Sequence, residues 1–163
     1  MGVIRPICRS QFTAEDIDFV LSVLNRPGDD RRVLVDLLTD PESRDLILDN
    51  KNILYAILEG VGCLSISSRL YFYILVRHAL MEARIDDRET TDYLAEMLTV
   101  FLNPGKDHNP LLPSHSTPIL YVTDLLAELQ NPTPKQRFLI RVHLGNVALF
   151  LLGLFPQFIR WRR

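Results

Sequence analysis

Three polar side chains interrupt an apolar stretch over residues 67–84, and they are the first candidates for chemistry. These are Arg77, His78 and Glu82. His78 and Glu82 are four residues apart and therefore share one face of a helix. A histidine and a carboxylate at this spacing can supply two metal ligands, or an oriented general base, if other helices bring the remaining groups. The simpler interpretation, which we prefer, is a surface ion pair or a buried histidine satisfied by its neighbour.

A second set of polar side chains, Arg141, His143 and Asn146, interrupts the last apolar stretch of the chain. If the two helices cross, both sets meet inside the fold, where charge is tolerated only when it is paired. Two interpretations of this candidate cluster stay open: a structural network that fixes the register of two apolar helices, and a binding site for a small anion, metal or cofactor. We prefer the structural interpretation and assign no cofactor and no metal.

The motifs that usually accompany catalysis are missing from the sequence. It contains no Gly-rich phosphate loop, no Gly-x-Ser-x-Gly, no His-Glu-x-x-His and no Glu-x-x-His pair. His108 and His115 are too loosely spaced to predict a metal site. Cys8 and Cys63 form no Cys-x-x-Cys pair, which favours a reducing compartment over a disulfide framework. We therefore expect binding without catalysis.

The elements that position these residues are predicted to be helices. Thr13, with Asp16 three residues later, is typical of a helix start, and that helix should end near Asn25. Asp40 followed by Pro41 predicts another start, with proline at the first helical position. A serine at position 65, 67 or 68 is expected to cap the helix that carries His78.

Two segments, residues 67–84 and 134–154, are apolar on nearly every face, which is typical of buried helices. The sequence therefore predicts an all-α fold. We expect an irregular orthogonal bundle of about eight helices around a buried central helix and a buried C-terminal helix, in one domain over residues 1–163. Within it, residues 1–11 are a candidate tail, residues 103–118 a proline-rich loop and residues 160–163 a basic end. A piece cut from a longer chain stays an open alternative.

The C-terminal apolar segment, residues 144–159, has only Asn146 and Gln157 as clearly polar members. It is sixteen residues long and contains Pro156, so it is shorter than the roughly twenty residues that span a bilayer. We favour burial in the core or in a subunit interface. An interfacial membrane segment and a true membrane span are the alternatives.

Charge is unevenly distributed along the chain. The formal net charge of −2 argues against a generic nucleic-acid binder. Residues 137–163 carry five arginines and no acid, giving +5, so the residues before them carry −7. A basic end on an acidic body is expected to dock on that body, on a second copy of it, or on an anionic surface.

These patterns predict a cytoplasmic helical interaction or scaffold domain that self-associates, as a homodimer, through its C-terminal apolar helix. The N-terminal residues lack the long apolar core of a secretory signal. A protein partner other than a second copy fits the same surface, and nucleic acid is not expected. One alternative is a small-ligand or metal-binding protein that uses the candidate cluster. The other is a peripheral membrane protein anchored by residues 155–163.

Overall fold

The computed structural model describes residues 4–24, 31–60, 65–102, 126, 129, 130, 132–155 and 157. Most of these residues are helical and none is in a strand. The α-helices are α1 (Ala14–Leu24), α2 (Arg31–Thr39), α3 (Pro41–Leu48), α4 (Lys51–Leu58), α5 (Ser68–Glu82), α6 (Arg88–Leu102) and α7 (Pro134–Leu154), and a 3-10 helix spans Cys8–Gln11. The prediction of an all-α protein is confirmed for this described part of the chain.

The chain divides into two compact units. Residues 5–99 form one, called the N-terminal unit below, and residues 100–163 with residues 1–4 form the other, called the C-terminal unit. The N-terminal unit contains α1 to α5 and most of α6, and α7 belongs to the C-terminal unit. The single domain over residues 1–163 stays a prediction. The predicted loop 103–118 and the basic end 160–163 lie outside the described residues.

Side-chain caps fix where several helices start. Asp40 accepts a hydrogen bond from the Ser43 N–H at 2.8 Å, with Pro41 at the first helical position. Thr133 and Gln136 form a capping box at the start of α7. Each cap satisfies backbone donors that have no partner within the helix, so these polar residues determine the ends of the helices.

A buried carboxylate joins the starts of two helices that are far apart in sequence. Asp16 is fully buried and accepts the N–H of Thr13 at 2.8 Å, as the sequence predicts for the start of α1. It also accepts the backbone N–H and the hydroxyl of Ser67, each at 2.7 Å. The Ser67 hydroxyl in turn accepts the N–H of Leu70 and caps α5. One side chain therefore holds α1 and α5 in a fixed relation.

Helix α5 is the central helix of the N-terminal unit. It packs against the 3-10 helix and α4, while α1 packs against α4 and α2. Its residues Leu70, Tyr73 and Ile74 have no exposed surface. The other buried residues of the same core cluster come from every remaining element, namely Cys8, Phe19, Val20, Leu21, Leu38, Leu48, Ile53, Ala56, Ile57 and Ala95. Residues 8–11, predicted as part of a tail, thus contribute to the core through Cys8.

The end of α5 contains a residue in an unusual backbone conformation. Arg84 has φ 61°, in the left-handed region that favours glycine. The N–H of Ile85 bonds to the Leu80 carbonyl at 2.8 Å, which closes the helix as a glycine normally would. An L-residue in this conformation is strained by roughly 1–2 kcal/mol.

We predict that Arg84→Gly stabilises the protein by up to about 1 kcal/mol, because the relief of strain exceeds the entropy that glycine adds to the unfolded chain. Urea unfolding followed by circular dichroism measures the change. Ala83→Gly is the matched control, since Ala83 precedes Arg84 at φ −75° and gains nothing from glycine. A lower unfolding midpoint for Arg84→Gly than for the unsubstituted chain would contradict the prediction.

Candidate functional site

The most extensive cluster of paired charged side chains is an arginine–carboxylate network within the N-terminal unit. It connects the 3-10 helix, α3, α5 and α6 through paired charges. We call this the arginine network, and its members are Arg9, Asp45, Asp49, Arg77, Arg88 and Asp92. The positive and negative charges of these six residues balance.

Asp49, the residue that ends α3, accepts hydrogen bonds from two guanidinium groups. Arg77 donates from Nε and Nη2 at 2.8 and 2.9 Å, and Arg88 donates from Nη2 at 2.7 Å. Burial alone would raise the pKa of Asp49, but the hydrogen bonds from the two arginines outweigh it and hold the pKa below its ordinary value. A carboxylate with a lowered pKa is a poor general base, so Asp49 is suited to holding helices together.

Arg9 attaches the N-terminal segment to the network. Its backbone N–H and Nε donate to Asp92 at 3.0 and 2.9 Å, and its Nη1 donates to Asp45 at 2.5 Å. The guanidinium carbon lies 5.8 Å from the centre of the Tyr73 ring, within the range of a cation–π contact. Burial raises the pKa of Asp92, and the hydrogen bonds from Arg9 oppose that rise.

A second ion pair lies beside the network. Arg69 donates to both carboxylate oxygens of Glu96, at 2.9 and 2.8 Å. The thiol of Cys8 donates to the Arg69 carbonyl at 3.4 Å. Burial raises the pKa of the Cys8 thiol far above its ordinary value, so this cysteine stays protonated and is not an activated nucleophile. Cys63 lies outside the described residues.

The six residues of the predicted cluster are divided between the two units. In the N-terminal unit Arg77 and His78 are buried, whereas Glu82 is exposed. The carboxylates that pair with Arg77 are the partly buried Asp49 and the exposed Asp86, not Glu82. In the C-terminal unit Arg141 is exposed, and His143 and Asn146 are buried. The convergence of the two sets into one site stays a prediction.

His143 is packed among aromatic rings within the C-terminal unit. Its imidazole stacks on Phe101 with ring centres 5.8 Å apart, and Phe101 contacts Phe150 at 5.0 Å. Phe150 in turn meets Phe155 edge to face at 6.0 Å. The end of α6 and the buried side of α7 are therefore joined by stacked rings.

Only Arg77 of the six network residues was selected from the sequence, although most of the others lie in sets with a regular spacing. On α3 and its end, Asp45 and Asp49 are four apart; on α6, Arg88, Asp92 and Glu96 are four apart; on α5, Arg69, Tyr73 and Arg77 are four apart. Residues at this spacing share a helix face. Regularly spaced charges on three helices, acidic on α3, basic on α5 and of both signs on α6, are the signal that predicts such a network.

The chemistry available in the described part of the chain is limited. The guanidinium groups stay protonated, and their carboxylate partners are engaged in hydrogen bonds. Among the described residues, no group of three or more His, Cys, Asp or Glu side chains is placed to hold a metal ion. The arrangement is built to fix helices against one another.

Helix α7 has two different faces. One is buried and consists of Leu139, Ile140, His143, Asn146, Val147 and Phe150. The opposite face exposes Phe138, Leu149 and Leu152, which are 62%, 48% and 56% accessible to solvent. We call this opposite face, with Gly145, the α7 exposed face. The expected burial of the C-terminal helix therefore applies to one face only.

By length and composition, α7 could cross a membrane. It has 21 residues. A stretch of 18 residues within it has a mean hydropathy of 1.5, and 33% of that stretch is buried. Buried helices of water-soluble proteins meet the same criteria of length and composition. This observation alone is weak evidence for a membrane span.

Helix α7 and the described part of the N-terminal unit expose charges of opposite sign. In the described N-terminal unit ten carboxylates are exposed: Glu15, Asp18, Asp36, Asp40, Glu42, Glu59, Glu82, Asp86, Asp87 and Glu89. Its exposed cations are Arg5, Lys51 and Arg84, because the network holds Arg9, Arg77 and Arg88 and the pair with Glu96 holds Arg69. Helix α7 exposes Lys135, Arg137 and Arg141 and contains no acid.

We predict that Asp49→Asn destabilises the N-terminal unit by about 3 kcal/mol, since it removes the less exposed of the two carboxylates that pair with the buried guanidinium of Arg77. Denaturant unfolding measures the loss. Asp86→Asn is the matched control, because Asp86 bonds to the same guanidinium at 2.6 Å but is 84% exposed, and exposed pairs contribute little. Equal losses in the two variants would refute the importance of the buried pair.

We also predict that His78 makes the protein less stable in mild acid. Burial lowers the pKa of His78, although Asp49 opposes the shift, so below about pH 6.5 the unfolded chain binds more protons than the folded one. Stability should therefore fall as the pH decreases through about 6.5, with Arg77 and Lys51 nearby adding to the cost of protonation.

The test is to compare unfolding midpoints of the unsubstituted chain and His78→Gln between about pH 7.5 and pH 5.5. The variant should lose less stability over this interval, because the titrating ring is gone while all other groups remain. Parallel curves for the two proteins would show that His78 does not contribute to the acid sensitivity.

No protein-family model, curated protein or solved structure matches the chain. A function must therefore be argued from the two features described above. These are the closed arginine network of the N-terminal unit and the exposed apolar face of α7.

Proposed function

We propose that this protein is a non-catalytic helical interaction domain that self-associates through α7. The observation that carries the proposal is the α7 exposed face, where Phe138, Leu149 and Leu152 are each about half or more accessible to solvent. Large apolar side chains scattered singly are normal on a protein surface, but an aligned set on one helix face marks a contact surface. Burying that face removes apolar area from water and drives association.

The distribution of charge supports a partner that is a second copy of the chain. The N-terminal unit exposes mainly carboxylates, and α7 exposes Lys135, Arg137 and Arg141. Oppositely charged surfaces attract one another and orient the partners before contact. Each copy carries both surfaces, so the exposed carboxylates of one copy can attract the basic residues of α7 in the other.

The proposal includes no catalysis. The arginine network supports a non-catalytic role, because its permanent cations and their carboxylate partners neutralise one another. The proposal also includes the finer architecture, which is an irregular orthogonal bundle of about eight helices. It further includes a cytoplasmic location and a scaffold role for the N-terminal unit.

The test is the mass of the particle in solution, measured by sedimentation over a range of concentrations. The unsubstituted chain should form dimers, and a double variant with Leu149→Glu and Leu152→Glu should be monomeric with its helical content retained. Leu46→Glu is the matched control, because Leu46 is also exposed, at 71%, but lies on α3. A monomeric unsubstituted chain, or a dimer that survives the double substitution, would contradict the proposal.

A second candidate function is peripheral membrane binding, and the length and hydropathy of α7 favour it. It predicts that the unsubstituted chain sediments with anionic liposomes and that salt weakens the binding. The third candidate, a ligand site at the predicted cluster, predicts a non-protein mass in native mass spectrometry that His78→Ala removes. Either result without dimers would replace self-association as the function.

A further inference from the structure

The first described segment of the N-terminal unit is attached to the helices by few side chains. We call residues 5–12, which include the 3-10 helix Cys8–Gln11, the N-terminal strap. Within the strap Cys8 is buried, Arg9 and Phe12 are partly buried, and the other five residues are exposed. Segments with so little buried surface open at a lower free energy than the core of the same unit.

Arg9 makes the strongest attachments of the strap. Its guanidinium group binds Asp45 on α3 and Asp92 on α6, and its backbone N–H also donates to Asp92. Hydrogen bonds between charged groups are roughly twice as strong as those between neutral groups. The side chains of Arg9 and Asp45 are still 18% and 17% exposed, so water can replace this pair without the unfolding of a helix.

The other two attachments of the strap are weaker. The Cys8 thiol donates to the Arg69 carbonyl at 3.4 Å, and a thiol is a weak donor. The Phe12 ring meets the Tyr73 ring edge to face, with centres 5.7 Å apart. Arg9 therefore decides whether the strap stays docked on α5 and α6.

The backbone allows the strap to move while α1 keeps its place. The 3-10 helix has four residues and no side-chain cap at its start, and so short a helix has little stability of its own. Phe12 follows it in an extended conformation. The hydrogen bonds between Thr13 and Asp16, which fix the start of α1, lie beyond the strap. A rotation at Phe12 is enough to lift the strap.

The bonds that join the remaining helices are made without the strap. Asp16 connects α1 to Ser67 at the start of α5. Asp49 connects the end of α3 to Arg77 on α5 and Arg88 on α6. Because these bonds involve no residue from 5 to 12, the helices can stay assembled when the strap is released.

We propose that the N-terminal strap opens and closes as a unit on the folded N-terminal unit, and that the bonds of Arg9 to Asp45 and Asp92 hold it closed. Opening uncovers the Cys8 thiol and separates the two carboxylates from the cation of the strap. The inference does not depend on the proposed self-association, because all of its groups belong to one unit of one copy.

Cys8 reports the position of the strap. While the strap is closed, burial raises the pKa of the Cys8 thiol far above its ordinary value, and a protonated, buried thiol does not react. The experiment therefore follows the reaction of Cys8 with an aromatic disulfide reagent, in the full chain with Cys63→Ser. The Cys8 thiolate forms a mixed disulfide and displaces one coloured nitrothiophenolate, so absorbance gives the rate.

The dependence of this rate on urea separates opening of the strap from unfolding. When the rate is proportional to the reagent concentration, it measures the open fraction. It should stay constant at low urea and increase only near the unfolding transition, because opening the strap exposes little surface. A rate that increases from the lowest urea concentration with the slope of complete unfolding would overturn the proposal. A rate equal to that of the unfolded chain would also overturn it, because the strap would not close.

Variants of Arg9 test what holds the strap closed. Arg9→Gln should raise the rate at low urea about tenfold or more, since it removes the charged bonds. Arg5→Gln is the matched control, because Arg5 lies in the same strap but is exposed, and its rate should not change. Equal rates for the two variants would contradict the role of Arg9.

Arg9→Lys keeps the test decisive if Arg9→Gln does not fold. Lysine retains the charge but lacks the planar fork that reaches two carboxylates, so the rate for Arg9→Lys should lie above that of the chain with Cys63→Ser alone. Identical rates for these two proteins would show that the guanidinium group does not hold the strap closed, and would overturn the proposal.

Discussion

Asp49 accepts hydrogen bonds from Arg77 and Arg88 at the same time, and the N-terminal unit depends on that contact. Asp49 ends α3, Arg77 lies on the central helix α5, and Arg88 begins α6. Because guanidinium groups bind carboxylates with a fixed planar geometry, the contact sets the relative positions of the three helices. The apolar core alone would tolerate several arrangements of similar burial.

Buried ion pairs of this kind add specificity more than stability. Removing charges from water is costly, and the attraction between them offsets the cost only when the geometry is good. The network meets that condition with distances of 2.7 to 3.0 Å between Asp49 or Asp92 and their main donors. It also withdraws Arg9, Arg77 and Arg88 from the surface, so carboxylates outnumber cations among the exposed described residues of the N-terminal unit. The same arginine–carboxylate pairs therefore position the helices and influence the charge of the exposed surface.

The sequence predicted what depends on local information. The all-α class, the cap by Thr13 and Asp16, and a serine cap on the central helix follow from spacing and propensity, and the structure contains each of them. The unusual position of Arg77 in an apolar stretch also pointed to a buried charge. Its partner Asp49 lies 28 residues earlier, and nothing local distinguishes it from Glu82, which is one helical turn away from His78. Pairing between distant helices needs the tertiary arrangement, as does the choice of which face of α7 is covered.

The contact between Arg9 and Asp92 has a consequence for how the chain is made. Its partners are 83 residues apart in sequence, and closing so long a loop carries an entropic cost that only the finished contacts repay. During synthesis the N-terminal segment leaves the ribosome long before Asp92 exists. The 3-10 helix can therefore contact α5 and Asp45 while the chain is still growing, but its hydrogen bonds to Asp92 form only after α6 has emerged.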